Sequence, residues 1–165
     1  MTNIAEKQNN AAIWFRELQD EICAEFEAIE VAGAHPQLAD LPAGKFMPKK
    51  WNRDGGGGGE MRVMSGRVFE KVGVNVSVVH GEFAETFRDS IPGTAETGEF
   101  WAAGISVVAH PQNPFVPAAH MNTRFIVTSK AWFGGGGDLT PIMPAPDEAA
   151  QFHAEFKAAC DSHNP

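Results

Sequence analysis

Apolar residues keep a helical period from residue 11 to about residue 31. Trp14, Leu18, Ile22, Phe26 and Ile29 recur three or four apart, while Arg16, Glu17, Asp20, Glu21 and Glu25 fall mostly on other faces. The spacing predicts an amphipathic helix, stopped by Gly33 and then Pro36. Residues 34–50 carry Pro and Lys without a period and read as a surface connection, followed by Trp51-Asn52-Arg53-Asp54 and the glycine run 55–59. Beyond Gly59 the period drops to two. Met61 and Val63, then Val72, Val74, Val76 and Val78, alternate with other residues on either side of Ser65-Gly66, which signals a hairpin. A short helix is predicted over 82–90, a loop over 93–98, and strands over 100–109 and 120–132. Three prolines within 111–117 remove donors from any ladder, so that stretch is irregular. The second glycine run, 134–137, reads as a loop leading into Asp138-Leu139-Thr140-Pro141. A last helix is predicted over 147–160, with Phe152 and Phe156 on its buried side. The order helix, adjacent strands, helix is that of an α+β fold, a largely antiparallel sheet flanked by helices.

At 165 residues the chain has the size of one ordinary domain. Its 43% hydrophobic and 21% charged residues exclude a disordered chain. Thirteen basic against twenty-one acidic residues give a formal charge of −8, which removes the electrostatic driver for nucleic acid or an anionic membrane surface. No run approaches the ~18 apolar residues of a membrane span. The first ten residues lack a basic, apolar or Arg-rich targeting pattern, and Cys23 and Cys160 lie far apart outside any C-x-x-C. These features predict a cytoplasmic protein with reduced thiols.

Candidate chemistry emerges when the strands at 100–109 and 120–132 are folded about Phe115. An antiparallel hairpin then sets His110 opposite His120, Val108 opposite Asn122 and Ser106 opposite Arg124. Residues two apart share a face. Ser106, His110, His120, Asn122 and Arg124 therefore gather on one side, and Val107, Met121, Phe125 and Val127 on the other. A solvated strand face ordinarily carries Lys, Glu and Thr. Two imidazoles, an amide, a hydroxyl and a guanidinium instead orient, protonate and pair with an anionic ligand.

Glycines 134–137, between Trp132-Phe133 and Asp138, let a ligand approach the backbone closely. Asp138 itself reads either as a turn residue or as part of the site. The run 55–59 lacks the Gly-Lys-Ser/Thr of a phosphate-binding loop, yet its amides can meet carboxylates. His110 and His120, with His153 or Asp138, have donor types that suit a divalent metal, at no diagnostic spacing. Alone, His153 reads as a rim residue of the last helix. His35, His80 and His163 belong to no constellation, and Cys23 and Cys160 read as helix-packing residues.

The same stretches resemble the oxygen-dependent coproporphyrinogen III oxidase family. They are Trp51 with Arg53 through Gly59; Val68-Phe69-Glu70-Lys71-Val72-Gly73-Val74-Asn75; Val79-His80-Gly81; the long stretch Gly104-Ile105-Ser106-Val107-Val108-Ala109-His110-Pro111 on to His120-Met121-Asn122-Thr123-Arg124; and Trp132-Phe133-Gly134 through Asp138-Leu139-Thr140-Pro141. The resemblance implies a flat antiparallel sheet with helices on both faces, and a homodimer. It implies oxidative decarboxylation of two propionates of coproporphyrinogen III to vinyls, with dioxygen as co-substrate and no organic cofactor. The products are protoporphyrinogen IX, carbon dioxide and hydrogen peroxide.

By the same resemblance Ser106, Asn122, Thr123 and Arg124 bind substrate, His120 donates a proton, and Asp138 engages pyrrole nitrogens. His110, His120 and His153 match the ligands where a divalent metal is invoked, a role disputed in the family. Phe115 stands where the family usually has Tyr, and Ile142 where it has an aromatic residue. The family continues past the helix ending near Cys160-Asp161 with a fourth histidine and a Gly-Gly-Arg segment. Residues 1–165 thus correspond to the N-terminal half of one domain. Two other readings stay open: a fragment that binds porphyrinogen without turning it over, and a small metal-dependent oxygenase built on His110, His120 and Asp138.

Overall fold

The computed structural model describes residues 3–33, 36–88 and 90–163. Its elements are α1 (Ile4–Ala32), β1 (Met47–Asn52), β2 (Gly57–Met64), β3 (Phe69–Glu82), the single turn α2 (Glu85–Arg88), β4 (Glu99–Pro111), β5 (Ala118–Val127), β6 (Ala131–Thr140) and α3 (Pro146–Asp161). The six strands form one sheet in chain order, every neighbouring pair antiparallel. This is the expected α+β class.

α1 begins well before residue 11 because Asn3 caps it, its Oδ1 accepting the Ala5 N–H at 3.2 Å. The buried seam of α1 is Ala11, Phe15, Gln19, Cys23 and Glu30, with Leu18, Ile22 and Phe26 on its flank. Trp14 and Ile29 stay exposed. The seam is rotated from the apolar stripe because two polar residues in it find partners. Gln19 Nε2 donates to the carbonyls of Glu60 at 3.1 Å and Val74 at 2.9 Å, anchoring α1 on β2 and β3. Against this seam pack Val72, Val74, Val76, Ala103, Ile105, Val107, Ala109 and Phe125. Full burial of such side chains is worth about 1.5–3 kcal/mol each.

Glu30 is fully buried at the far end of α1. Its Oε2 accepts the N–H of Gly44 (3.0 Å) and Arg67 (2.9 Å), and its Oε1 those of Val68 (2.9 Å) and Phe69 (2.8 Å). Burial raises the carboxyl pKa, but the four N–H donors outweigh it and the net shift is downward. A folded-state pKa below the unfolded one contributes stability that is present above the unfolded value and is lost as pH falls through the folded one. In Glu30→Gln the amide nitrogen faces donors, so two N–H groups lose their acceptor at about 1–3 kcal/mol each. Urea denaturation at pH 7 should show that loss, and the gap between the two proteins should narrow as pH falls through the carboxylate range. A gap that widens toward acid would contradict the clasp.

Four expectations fail here for physical reasons. Residues 47–50 are not a connection but the start of edge strand β1, where Pro48 is tolerated. Gly57, Gly58 and Gly59 lie inside β2, which has neighbours on both sides, so their amides serve the ladders and are not free for carboxylates. Residues 120–132 are two strands, broken where Thr128 Oγ1 accepts the Lys130 N–H at 3.1 Å and donates to Pro92 O at 2.8 Å. Glycines 134–137 form the middle of β6, not a loop. Glycine is a poor strand former, and register against β5 overrides that preference.

α3 extends over the predicted stretch but buries no residue, and Cys160 on it is exposed, not packed; Cys23 is buried as expected. Phe156 Cζ lies 2.5 Å from where a Cβ on Gly137 would stand. Gly137 is in register with Met121 and hence with Val107 and Val74, so α3 meets the sheet from the α1 side. Among the described residues, the two long helices cover one face and leave the other open, in contrast to the helices on both faces that the resemblance implies. His80 is exposed on β3 and His163 in the turn after α3, and His35 lies outside the described residues. No described helix is long and apolar enough to cross a membrane.

Candidate functional site

Register decides which side chains meet on the open face. Ser106 pairs with Asn122, Val108 with His120 and Gly104 with Arg124. This is two residues away from a hairpin folded about Phe115. The cause is Asn113, whose Oδ1 accepts the Phe115 N–H at 3.0 Å while its carbonyl accepts the Val116 N–H at 3.1 Å. That side-chain turn moves the reversal toward Pro114. A slip of two preserves the faces where a slip of one would invert them. Ser106, His110, His120, Asn122 and Arg124 therefore share one face, as expected, with His110 diagonal to His120.

Thr123 does not join them. It pairs with the buried Ile105 on the α1 side, so only its main chain borders the cluster. Across the six strands one row of the open face reads Trp51, Gly59, Ser77, Gly104, Arg124, Gly134, and the next Lys49, Met61, Asn75, Ser106, Asn122, Gly136. A shallow cavity of about 720 Å³ lies over these rows, bordered by Trp51, Met61, Asn75, Ser77, Ser106, Asn122 and Arg124. Sites for small ligands range over roughly 300–1,000 Å³. Gly104 leaves no room for a side chain: an added Cβ would come within 2.9 Å of Arg124 Cβ and of the Thr123 carbonyl oxygen.

Beside the cavity runs a line of hydrogen bonds. Thr140 Oγ1 donates to Asp138 Oδ1 at 3.2 Å, and the same oxygen meets His120 Nδ1 at 2.8 Å. His120 Nε2 lies 3.3 Å from His110 Nε2, the two rings edge to face at 78°. The His120 bond foremost, aided by Thr140, holds the Asp138 carboxyl below its usual pKa despite a small desolvation penalty. An ionised carboxylate only accepts, so the network puts a proton on His120 Nδ1. Nε2 is left to accept a proton when the ring is neutral and to donate one when it is charged. Asp138 is thus a strand residue facing the site rather than a turn residue.

The residues present do not fit a metal. His120 engages Asp138 through one nitrogen and His110 through the other, so the three donors stand in line instead of converging. His153 rides on α3 beside Phe152 and Leu139, its ring 6.0 Å from that of Phe152. Among the described residues no three His, Cys, Asp or Glu side chains are placed to hold an ion. Neither His110, His120 and His153 nor His110, His120 and Asp138 converge on one point in this arrangement. Thr140, Trp51, Asn75 and Ser77 are additions to the site. Thr140 follows Asp138 by two and would have been legible had 134–140 been read as a strand.

The family model described as coproporphyrinogen III oxidase matches residues 10–165. The chain belongs to this family. It is 58% identical over 151 residues to the oxygen-dependent coproporphyrinogen-III oxidase of Rickettsia bellii (strain RML369-C), covering 92% of this chain and 53% of that one. It is 54% identical over 159 residues to that of Rickettsia felis, covering 96% and 56%, and 52% identical over 162 residues to that of Rickettsia africae, covering 98% and 57%. The chain spans about half the length of the curated relatives it matches. Every residue named on the open face lies within the matched span.

Proposed function

We propose that the open sheet face is the substrate face of an oxygen-dependent coproporphyrinogen III oxidase, with residues 1–165 forming part of one longer catalytic domain. One observation carries the reading: Ser106, His110, His120, Asn122, Arg124 and Asp138 project from one uncovered face beside a cavity of ligand size. Arg124 pairs with a propionate, and Ser106 and Asn122 supply neutral hydrogen bonds beside it. Asp138, held ionised, accepts from pyrrole N–H groups. The relay of hydrogen bonds leaves His120 Nε2 as the proton-transfer atom.

Each propionate, –CH2CH2COO−, reacts with O2 and one proton to give –CH=CH2, CO2 and H2O2. One C–C and one C–H bond break, two electrons pass to dioxygen, and the proton consumed is one that a charged His120 supplies. An electron-rich pyrrole reacts with dioxygen without an organic cofactor, and no step here requires a metal. A cytoplasmic setting agrees with the free thiols of Cys23 and Cys160. A homodimer agrees with the apolar surface left on α1 at Ile13, Trp14 and Ile29.

The test uses coproporphyrin III, the oxidised and air-stable form of the substrate, titrated against the 165-residue chain. Arg124→Ala should weaken binding at least tenfold, the loss of a charge-assisted pair worth about 1.5–3 kcal/mol. Arg124→Lys should recover only part, because an ammonium lacks the two-pronged fork. Equal affinity for Arg124→Ala would place the tetrapyrrole elsewhere.

A further inference from the structure

We infer that Trp51 is the aromatic wall against which a tetrapyrrole lies, set opposite Arg124 so that the cleft selects ligands by span. The inference rests on reading the open face as a porphyrinogen site. Trp51 sits on edge strand β1 and pairs directly with Gly59, so its side chain emerges on the open face. Its six-membered ring occupies the space above that glycine: a Cβ on Gly59 would stand 2.8 Å from Trp51 Cζ2 and 3.0 Å from Cε2. The indole is therefore laid inward along the sheet and borders the cavity. Among the described residues its N–H meets no acceptor, so it is available to a carboxylate.

Arg124 stands at the other end of the row, directly paired with Gly104, and borders the same cavity. In the row that joins them Ser77 is the only side chain between two glycines. The backbones of Trp51 and Arg124 are four strand spacings apart, roughly 19 Å at about 4.8 Å each. With the indole laid over Gly59, three strand spacings, roughly 14 Å, separate it from the Arg124 backbone, a span for several linked rings and not for one. A single pyrrole whose carboxylate is held by Arg124 falls short of Trp51. A ring of four pyrroles reaches it and meets a flat apolar surface, the contact an indole makes best. Arg124 reads charge and Trp51 reads size.

A merely structural Trp51, covering Gly59, would not respond to the ligand, so two readouts are used. The first follows the four indole N–H resonances of the chain during titration with coproporphyrin III, the Trp51 peak being assigned by its disappearance in Trp51→Phe. Trp51 should show the largest ring-current shift, ahead of Trp14, Trp101 and Trp132. The second compares affinities: Trp51→Leu should bind coproporphyrin III about tenfold more weakly and Trp51→Phe within about threefold of the original. Movement of another indole with Trp51 still would overturn the inference, as would undiminished affinity in a folded Trp51→Leu. If Trp51→Leu does not fold, the resonance shift in the unsubstituted chain decides. In both failures the unsubstituted chain still binds, and the porphyrinogen reading survives. If the unsubstituted chain does not bind coproporphyrin III at all, that reading fails and this inference with it.

Discussion

His120→Ala should lower oxygen-dependent product formation by about 10²–10⁴-fold in a chain joined to the remaining length of a curated relative, the range expected for losing a positioned acid–base group. The loss should appear in kcat with the affinity for coproporphyrin III nearly unchanged, because Arg124, Ser106 and Asn122 hold the ligand. Asp138→Asn should fall between His120→Ala and the original. An amide still accepts at Oδ1, but it carries no charge to favour the His120 imidazolium, and rotated it donates to Nδ1 and drives the proton to the wrong nitrogen. His110→Ala separates two accounts of the pair. His110 meets His120 at Nε2, the proton-transfer nitrogen, by a long contact, but Asp138 on Nδ1 fixes the tautomer, so removing His110 should cost less than removing His120. A loss as large as that of His120→Ala, restored by added divalent metal, would contradict the in-line arrangement and favour a shared ion.

The hydrogen-bond line also shows where sequence reading succeeds and where it stops. The alternation in β4 and β5 assigned Ser106, His110, His120, Asn122 and Arg124 to one face, because faces follow from period alone. The register differs by two residues from the one periodicity predicts, because it depends on the Asn113 side-chain turn, which periodicity does not encode. Asp138 is legible in the sequence as a candidate residue but not as the partner of His120. That pairing requires β6, and four consecutive glycines hide a strand from any reading based on side-chain propensity. Glu30 and Gln19 were invisible for the opposite reason: a hydrophobic count assigns a carboxylate and an amide to the surface, while here backbone partners hold them in the buried seam. The resemblance supplied the family; of the residues it groups at the site, Thr123 turns its side chain to the α1 side and His153 stands on α3 beside Phe152, positions that periodicity alone does not give.

The open face itself sets the other large expectation. Val108, Asn122, Arg124 and Asp138 are exposed, and α1 and α3 both lie on the opposite side of the sheet. Such a face can present groups to a macrocycle. It does not enclose one, and a carbanion-like centre losing CO2 beside an electron-rich ring must be kept from bulk water while dioxygen enters. Placement matters as much as shielding, since a misplacement of about 1 Å costs on the order of 10²-fold. Residues 1–165 expressed alone should therefore bind coproporphyrin III through Arg124 and Trp51, yet turn over coproporphyrinogen III at least about 10²-fold more slowly than the extended chain. The measurement is fluorescence of the oxidised product formed under air, less an anaerobic control, for both proteins at saturating substrate. Weak turnover with retained binding would mean that the described sheet supplies recognition and the proton relay, with enclosure coming from elsewhere in the family's length. Equal turnover would mean that a single exposed face, with Asp138, His120 and Arg124 on it, suffices for the chemistry.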